Sequence, residues 1–299
     1  MNKKLRAKVD LIDGFLGAGK TTFIKKYMKY LDERGISYAV LENEFGAAGV
    51  DASLLGGNVY ELSGGCICCG QKVNFHNLLI ELAEHAERII VEPSGVFNAD
   101  DFFDIMDSPQ VKEIAECGLM AGVVDPFSLA GMTDQDEAVL RSELICAGAI
   151  LMSRTDRAAL SVIEAAKARL KEMLPELPPV LDAGNVDFEH LMQLSPVRRT
   201  HDRMYGDHST LFQSATVYPE GIYDAESLRR MAERLLSGEA GEVLRVKGAA
   251  RAAEGFLSVN AARDDLEILP GSGPAVLNVI GRRLQRKVIR RILEENADS

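Results

Sequence analysis

The stretch GFLGAGKTT, residues 14–22, directly follows the apolar segment Val9–Ile12. It fits the spacing G-x-x-x-x-G-K-[ST] of a phosphate-binding loop, whose glycines let backbone N–H groups turn towards nucleotide phosphates. In such a loop Lys20 reaches the β- and γ-phosphates, and the Thr21 hydroxyl ligates Mg²⁺. The segment Thr22–Leu31 has apolar residues at helical spacing, so the phosphates are expected at a helix N-terminus. The residues expected to contact the nucleotide phosphates are Gly14, Gly17, Ala18, Gly19, Lys20, Thr21 and Thr22.

Length and charge limit the functions that this chain can have. Its 299 residues suggest about two domains of ~150 residues each. No apolar run approaches the ~18–20 residues that cross a bilayer, and the first residues lead into a strand instead of a signal-peptide core. We therefore predict a cytoplasmic protein with no membrane partner and with reduced thiols. The net charge of −11 argues against nucleic acid as a partner.

The pattern of apolar runs predicts an α/β fold, in which a parallel sheet of the phosphate-loop NTPase type is covered by helices. Short β-rich runs alternate with longer helical patterns through the first two-thirds of the chain. Strands are predicted at Val9–Asp13, Tyr38–Glu42, Val59–Leu62, Arg88–Val91, Leu119–Val124, Ala149–Met152 and Val180–Leu181. The clearest helices are Thr22–Leu31, Val73–His85, Gln135–Ile145 and Arg157–Leu174. The polar segment that ends at Ser209 is interpreted as a linker.

Beyond that linker the chain predicts a smaller α+β domain. Its predicted strands are Leu211–Val217, Val243–Val246, Gly255–Asn260, Leu266–Leu269 and Val276–Ile280, and its helices are Asp224–Leu236 and Arg282–Leu293. The basic run 282–291 is interpreted as a solvated helix face, with docking of an acidic client as the alternative. The predicted boundaries are 1–195 for the first domain, 196–209 for the linker and 210–299 for the second domain.

Three of the five cysteines lie within four residues, in the glycine-rich segment 64–70, at Cys66, Cys68 and Cys69. Thiolates are soft ligands suited to Zn²⁺, Cu(I) or cobalt, and flanking glycines permit the tight backbone on which three side chains converge. Three thiolates leave one tetrahedral position open, which suits metal transfer better than permanent structural binding. A redox pair and inert buried thiols are the alternatives. The cluster therefore predicts a transition-metal site, with Zn²⁺ or Co²⁺ as the expected metal.

A second acidic motif follows the apolar run Ile89–Val91, where Glu92 precedes Pro93, Ser94 and Gly95. In phosphate-loop enzymes an acid at this place holds Mg²⁺, directly or through water. The Gly95 N–H is expected to sense the γ-phosphate.

These elements and the segment Glu42-Asn43-Glu44-Phe45-Gly46 have the order and spacing of one known group. The chain resembles the CobW family of GTP-dependent metallochaperones, which are relatives of the nickel-insertion GTPases HypB and UreG. The resemblance covers the chain nearly end to end, and its four motifs are jointly very specific. It implies that GTP binds the first domain and that the cysteine motif takes up a transition metal. It also implies that hydrolysis is coupled to metal release towards a client protein.

The resemblance assigns roles to individual positions. It makes Lys20, Thr21 and Glu92 the catalytic residues, and it places Mg²⁺ at Thr21 and Glu92. It makes Cys66, Cys68 and Cys69 the ligands of the transition metal. Glu44 lies in the switch segment of the family, where an acid contacts either Mg²⁺ or the cargo metal, with an exposed loop carboxylate as the alternative. Asp51 and Asp125 are weaker candidates, because an acid at a strand end is as often a helix cap or turn former.

One motif departs from the family pattern. Where the family carries Asn-Lys-x-Asp to read guanine, this chain has Ser153-Arg154-Thr155-Asp156. The Asp156 carboxylate can accept both N1–H and N2–H of guanine, a pairing that adenine does not offer. Ser153 loses one amide contact, whereas the planar Arg154 group can still stack on a base. GTP is therefore the expected nucleotide, and ATP use stays open.

Histidine gives no sign of metal storage, because the five histidines are scattered and only His76 falls near the cysteine motif. It either lends an imidazole to that site or packs at the surface.

Two other functions stay open: a nucleotide-driven activator or repair protein for a metallocofactor enzyme such as a corrinoid protein, and a non-hydrolysing metal sensor. The expected partner is a client metalloprotein or metallocofactor enzyme, and a homodimer is compatible with the sequence.

Overall fold

The computed structural model describes residues 6–42, 59–61, 72–93, 99–194, 213–262, 265–271 and 275–297. These residues form two compact units, one ending at residue 194 and the other beginning at residue 213. The predicted linker lies outside the described residues, so its boundaries stay a prediction. In the described ranges no helix is long and apolar enough to cross a lipid bilayer.

The first unit is built on a parallel sheet. Its strands are β1 Ala7–Asp13, β2 Tyr38–Glu42, β3 Val59–Glu61, β4 Arg88–Glu92, β5 Ala115–Val124, β6 Ala149–Met152 and β7 Val180–Asp182. Its longer helices are α1 Lys20–Glu33, α2 Lys72–Ala83, α3 Ala99–Met106, α4 Pro109–Ile114, α6 Asp134–Leu144 and α7 Leu160–Met173, and two single-turn helices are α5 Pro126–Leu129 and α8 Phe188–Leu191. The strand order is β3-β2-β4-β1-β5-β6-β7, and every neighbouring pair is parallel. The predicted α/β fold class is confirmed.

The sheet order decides where the phosphate loop lies. The chain leaves β4 on one side of β1 and returns as β5 on the other side. Ligands of open α/β sheets bind at such a change of direction, outside the carboxyl ends of the strands. The loop after β1 therefore shares one edge of the sheet with the residues that follow β4, β5 and β6.

An ion pair lies inside the sheet beneath this edge. Asp10 of β1 is fully buried and accepts hydrogen bonds from Arg88 Nε at 2.7 Å, from Tyr27 Oη at 3.0 Å and from the Leu119 N–H at 2.6 Å. A Cβ atom at Gly118 would lie 2.2 Å from Asp10 Oδ1, so that position needs glycine. A buried carboxylate with this many donors is compensated for its lost hydration. The pair therefore connects β1, β4, β5 and α1.

The second unit is an antiparallel sheet covered by two helices. Its strands are β8 Gln213–Val217, β9 Glu242–Arg251, β10 Phe256–Ala262, β11 Asp265–Gly271 and β12 Val276–Arg282, in the order β11-β10-β9-β12-β8. The helices are α9 Ala225–Leu236 and α10 Arg286–Asn296. Fully buried apolar side chains of both helices join the core of this unit, among them Leu228, Met231, Ile289 and Ile292. The predicted α+β class of the second unit is confirmed.

Two predicted helices start too early: α7 begins at Leu160 and not at Arg157, and the last helix begins at Arg286 and not at Arg282. Arg282 was assigned to the last helix, but it ends β12, is buried, and donates a hydrogen bond to Glu242 Oε1 at 3.1 Å. The chain then turns at Arg283, which has φ 51°, and α10 begins only at Arg286. Pairing with β9 therefore decides the conformation of Arg282, and the solvated basic helix face is limited to the residues of α10.

Candidate functional site

The phosphate loop has a backbone that only glycine adopts without strain. Gly14, Gly17 and Gly19 have φ values of 137°, 77° and 101°. A Cβ atom at Gly14 would also lie 2.2 Å from the Val123 carbonyl oxygen, so the first glycine is required sterically as well. Helix α1 begins directly after Gly19, whose N-cap position makes no side-chain hydrogen bond. The N–H groups of the first helical turn are therefore suited to bind an anion.

Lys20 lies inside this loop. Its side chain is buried, and Nζ donates hydrogen bonds to the Gly14 carbonyl at 2.5 Å and to the Phe15 carbonyl at 3.4 Å. The ammonium group thus bridges the first and last parts of the loop. This arrangement places a fixed positive charge in the segment that the motif assigns to phosphate.

Thr21 joins the loop to the end of β4. Its hydroxyl donates a hydrogen bond to Glu92 Oε1 at 2.8 Å, and Glu92 is buried. A hydroxyl and a carboxylate are the oxygen ligands that Mg²⁺ prefers near nucleotide phosphates. The two residues therefore fit the predicted magnesium site, where the bound ion would neutralise phosphate charge.

Two further carboxyl groups lie near Lys20 and were not predicted from the sequence. Asp13 at the end of β1 and Glu143 in α6 are 2% and 3% exposed. The Gly14 N–H donates to Asp13 Oδ1 at 2.8 Å, but Asp13 Oδ2 and both Glu143 oxygens have no hydrogen-bond partner in the described part of the chain. Glu143 follows Val139 and Leu140 on the buried face of α6. An acidic residue within the apolar stripe of a predicted helix is the sequence signal that could have identified Glu143.

The segment after β6 reaches the same edge of the sheet. Ser153 is buried, and its N–H donates a hydrogen bond to the Val124 carbonyl at 2.9 Å. A Cβ atom built on Gly19 would lie 3.5 Å from the Cβ atom of Ser153. Arg154 has φ 52° and pairs with buried Asp125. Asp156 is largely exposed, with 79% of its side chain open to solvent. The structure therefore brings Ser153 next to the phosphate loop and leaves the Asp156 carboxylate accessible.

Asp125 acts as a helix cap in the structure. Its carboxylate accepts hydrogen bonds from the Phe127 N–H at 3.0 Å and from Ser128 Oγ at 3.2 Å at the start of α5. The capping alternative is therefore the one that the contacts support.

His76 is the histidine nearest the cysteine motif in the sequence. Its Nε2 atom lies 3.1 Å from Ser108 Oγ, which supports a packing role.

The predicted ligands of the transition metal, Cys66, Cys68, Cys69 and Glu44, fall outside the described residues. Gly95 and Asp51 also fall outside them. Within the described ranges no group of three or more His, Cys, Asp or Glu side chains could hold a metal ion. The cysteine site thus stays a prediction from the sequence.

A change at Ser153 is expected to sharpen base selection. Ser153→Asn restores the amide that the family motif carries, and one net hydrogen bond of about 0.5–1.5 kcal/mol would raise the preference for GTP over ATP about 2–10-fold. Paired GTP and ATP titrations measure the ratio, and Asp156→Ala should lower GTP affinity without changing ATP affinity. Equal affinities for both nucleotides that do not respond to Asp156→Ala would mean that this segment does not read the base.

Comparison with known proteins agrees with this geometry. The family model described as CobW/HypB/UreG, nucleotide-binding domain, matches residues 8–180, which is more than half of the chain. The zinc chaperone YeiR of Escherichia coli strain K12 is 26% identical over 294 residues, covering 87% of this chain and 88% of YeiR. The zinc chaperone YjiA of the same strain is 27% identical over 264 residues, covering 80% of each chain. The zinc-regulated GTPase metalloprotein activator 1 of Dictyostelium discoideum is 26% identical over 304 residues, covering 80% of this chain and 62% of that protein.

The matched region contains β1, the phosphate loop and the strand that ends at Glu92, which are the elements on which the resemblance was based. The resemblance derived from the motifs is therefore confirmed, and the chain belongs to the CobW/HypB/UreG family.

Proposed function

We propose that this protein is a GTP-hydrolysing metallochaperone that binds zinc through Cys66, Cys68 and Cys69 and delivers it to a client metalloprotein. Family membership and the names of the relatives, zinc chaperones and a zinc-regulated GTPase activator, support this function. The structural observation that carries it is the hydrogen bond between Thr21 and Glu92, which joins the phosphate loop to the strand-end acid.

The reaction at the phosphate needs no covalent intermediate. Water attacks the γ-phosphorus of GTP, the bond to the β-phosphate oxygen breaks, and GDP and phosphate leave. Lys20 stabilises the negative charge on the phosphates, and the loop N–H groups hold the phosphates in position. Thr21 and Glu92 would hold Mg²⁺, and Arg154 and Asp156 would contact the base.

The cargo site is expected to use three thiolates with one exchangeable position. Thiolate ligands must be deprotonated, so zinc affinity should weaken as the pH falls. A cytoplasmic location would keep these thiols reduced.

The sheet offers a route between the two ions. Glu92 of β4 is in register with Glu42 of β2, and Glu42 is in register with Glu61 of β3. Three neighbouring strands therefore end in glutamate at the edge that holds the phosphate loop. Cys66 follows Glu61 by five residues. We expect a change around the phosphates to reach the segment that carries the thiols through these three hydrogen-bonded strands.

The test of this function is the linkage between zinc and nucleotide. Zinc affinity is measured by competition with a chromophoric chelator, once with a non-hydrolysable GTP analogue and Mg²⁺ and once with GDP and Mg²⁺. Coupling of ~1–3 kcal/mol predicts an affinity ratio of about 5–150-fold between the two states. Zinc must change the affinity ratio of the analogue and GDP by the same factor, which provides an internal check. Equal zinc affinity in both states would contradict coupled delivery.

A further inference from the structure

Asp13 and Glu143 have no role in the reaction described above, although both lie at the phosphate loop. Asp13 is the residue directly before Gly14, and Glu143 is the next-to-last residue of α6. Three of their four carboxyl oxygens have no hydrogen-bond partner among the described residues. An unpaired buried carboxylate is costly, so such groups retain a proton or a nearby cation.

Lys20 is the cation that acts on both groups. Burial raises the pKa of Asp13 to about 7, against the opposing effects of the Lys20 charge and the Gly14 N–H. Burial also raises the pKa of Glu143 well above its usual value; the negative charge of Asp13 raises it further, and Lys20 opposes this. Burial therefore favours the protonated form of Glu143, and Asp13 is close to its midpoint near neutral pH.

The other elements at this place supply little charge. Strand β5 presents the Val123 carbonyl towards Gly14, and its Gly122 faces Leu144 of α6. Arg141 of α6 lines a separate surface depression with Glu137 and Arg169. Among the described residues, the charged groups that act on one another behind the loop are therefore Asp13 from β1, Lys20 from α1 and Glu143 from α6.

We propose that Asp13 and Glu143 are positioning residues that balance the Lys20 ammonium in the nucleotide-free loop, and that this pair takes up a proton when nucleotide phosphates engage Lys20. The inference rests on the proposed nucleotide-binding function. Among the described residues, Lys20 is the cation that lowers the pKa of both carboxyl groups, and it is the group that the phosphates would share.

The direction of the pH effect follows from the charges. Bound Mg²⁺·GDP keeps a net negative charge and shares Lys20, so the pKa of Asp13 is expected to be higher in the bound state than in the free state. Nucleotide affinity is then greatest below pH 7 and falls as the pH rises above the free-state value of about 7. The slope approaches about tenfold per pH unit, until the pH passes the pKa of the bound state.

The experiment is isothermal titration calorimetry of Mg²⁺·GDP binding without transition metal, at pH 7.5, in buffers of different ionisation enthalpy. The dependence of the observed heat on buffer enthalpy gives the number of protons taken up. We expect about half a proton or more per nucleotide in the natural chain. Asp13→Asn and Glu143→Gln should reduce this number and flatten the pH dependence between pH 6.5 and 8.5, a window of about one unit either side of 7.5.

Glu137→Gln is the matched control, since Glu137 lies on the same helix but pairs with Arg169 at 2.7 Å on its other side. It should keep the proton uptake of the natural chain, and the titration of GDP itself cancels between variants. A purely structural role for the pair would lower the unfolding temperature of the variants without changing the proton number.

Nucleotide binding without proton uptake in the natural chain overturns the inference and leaves the proposed function intact. This measurement decides the question even if Asp13→Asn does not fold. Failure of the natural chain to bind any nucleotide overturns the proposed function and this inference with it.

Discussion

Lys20→Ala is expected to slow GTP hydrolysis about a thousandfold or more while leaving the fold intact. An ammonium about 4 Å from a unit phosphate charge, at an effective dielectric constant near 20, contributes about 4 kcal/mol, and each 1.4 kcal/mol corresponds to about a tenfold rate. Lys20 is buried inside the loop and held on the Gly14 carbonyl, so this charge is already positioned before nucleotide arrives. Steady-state phosphate release measures the effect.

The fold of the Lys20→Ala variant should survive, because Asp13 and Glu143 can become protonated when their counter-charge is removed. Circular dichroism and thermal unfolding check this point. Lys25→Ala is the matched control: Lys25 is on the same helix and its side chain is exposed, so hydrolysis should be unchanged. Hydrolysis at the natural rate by a folded Lys20→Ala protein would contradict the GTPase function.

The sequence predicted the sheet well where apolar runs are bounded by polar residues. Strands β2 and β6 begin and end at the predicted residues Tyr38, Glu42, Ala149 and Met152. Strand β5 begins at Ala115 instead of Leu119, because Gly118 is tolerated in the strand where Asp10 fills its space. That contact joins residues more than a hundred positions apart, so no local pattern could reveal it.

Helices α3, α4, α5 and α8 were not among the predicted helices, although local start signals for α4 and α5 exist. Helices α4 and α5 each begin with proline directly after a capping residue, Ser108 or Asp125. Proline at the first helical position after such a cap is a known start signal. Their short length hid them, since one or two turns show no clear amphipathic period.

Some features of the candidate site were also predictable from the sequence, and others were not. The phosphate loop was predictable because its glycines, Lys20 and Thr21 are adjacent in sequence and their spacing encodes the backbone. Thr21 and Glu92 were each predicted at the Mg²⁺ site from a separate motif, because 71 positions separate the two residues and no local pattern joins them. The neighbourhood of Asp13, Lys20 and Glu143 depends on how α6 packs, and it was not predicted.

Replacing Cys66, Cys68 and Cys69 together with serine is expected to abolish zinc binding. Thiolate sites bind zinc with about 10–16 kcal/mol of free energy at neutral pH, and serine hydroxyls do not ionise to replace them. We expect one zinc ion per natural chain, an affinity loss of more than about a thousandfold in the triple variant, and no thiolate-to-Co²⁺ charge-transfer band.

Cys117→Ser serves as the control, because Cys117 lies in β5, outside the predicted metal site. It should keep both the zinc stoichiometry and the cobalt spectrum. The triple variant should still bind Mg²⁺·GTP, since Lys20, Thr21 and Glu92 are untouched, but its nucleotide affinity should no longer respond to zinc. Full zinc stoichiometry after loss of all three thiols would contradict the metallochaperone mechanism. The activator function would then be favoured, because it requires the GTPase site but no zinc cargo on these cysteines.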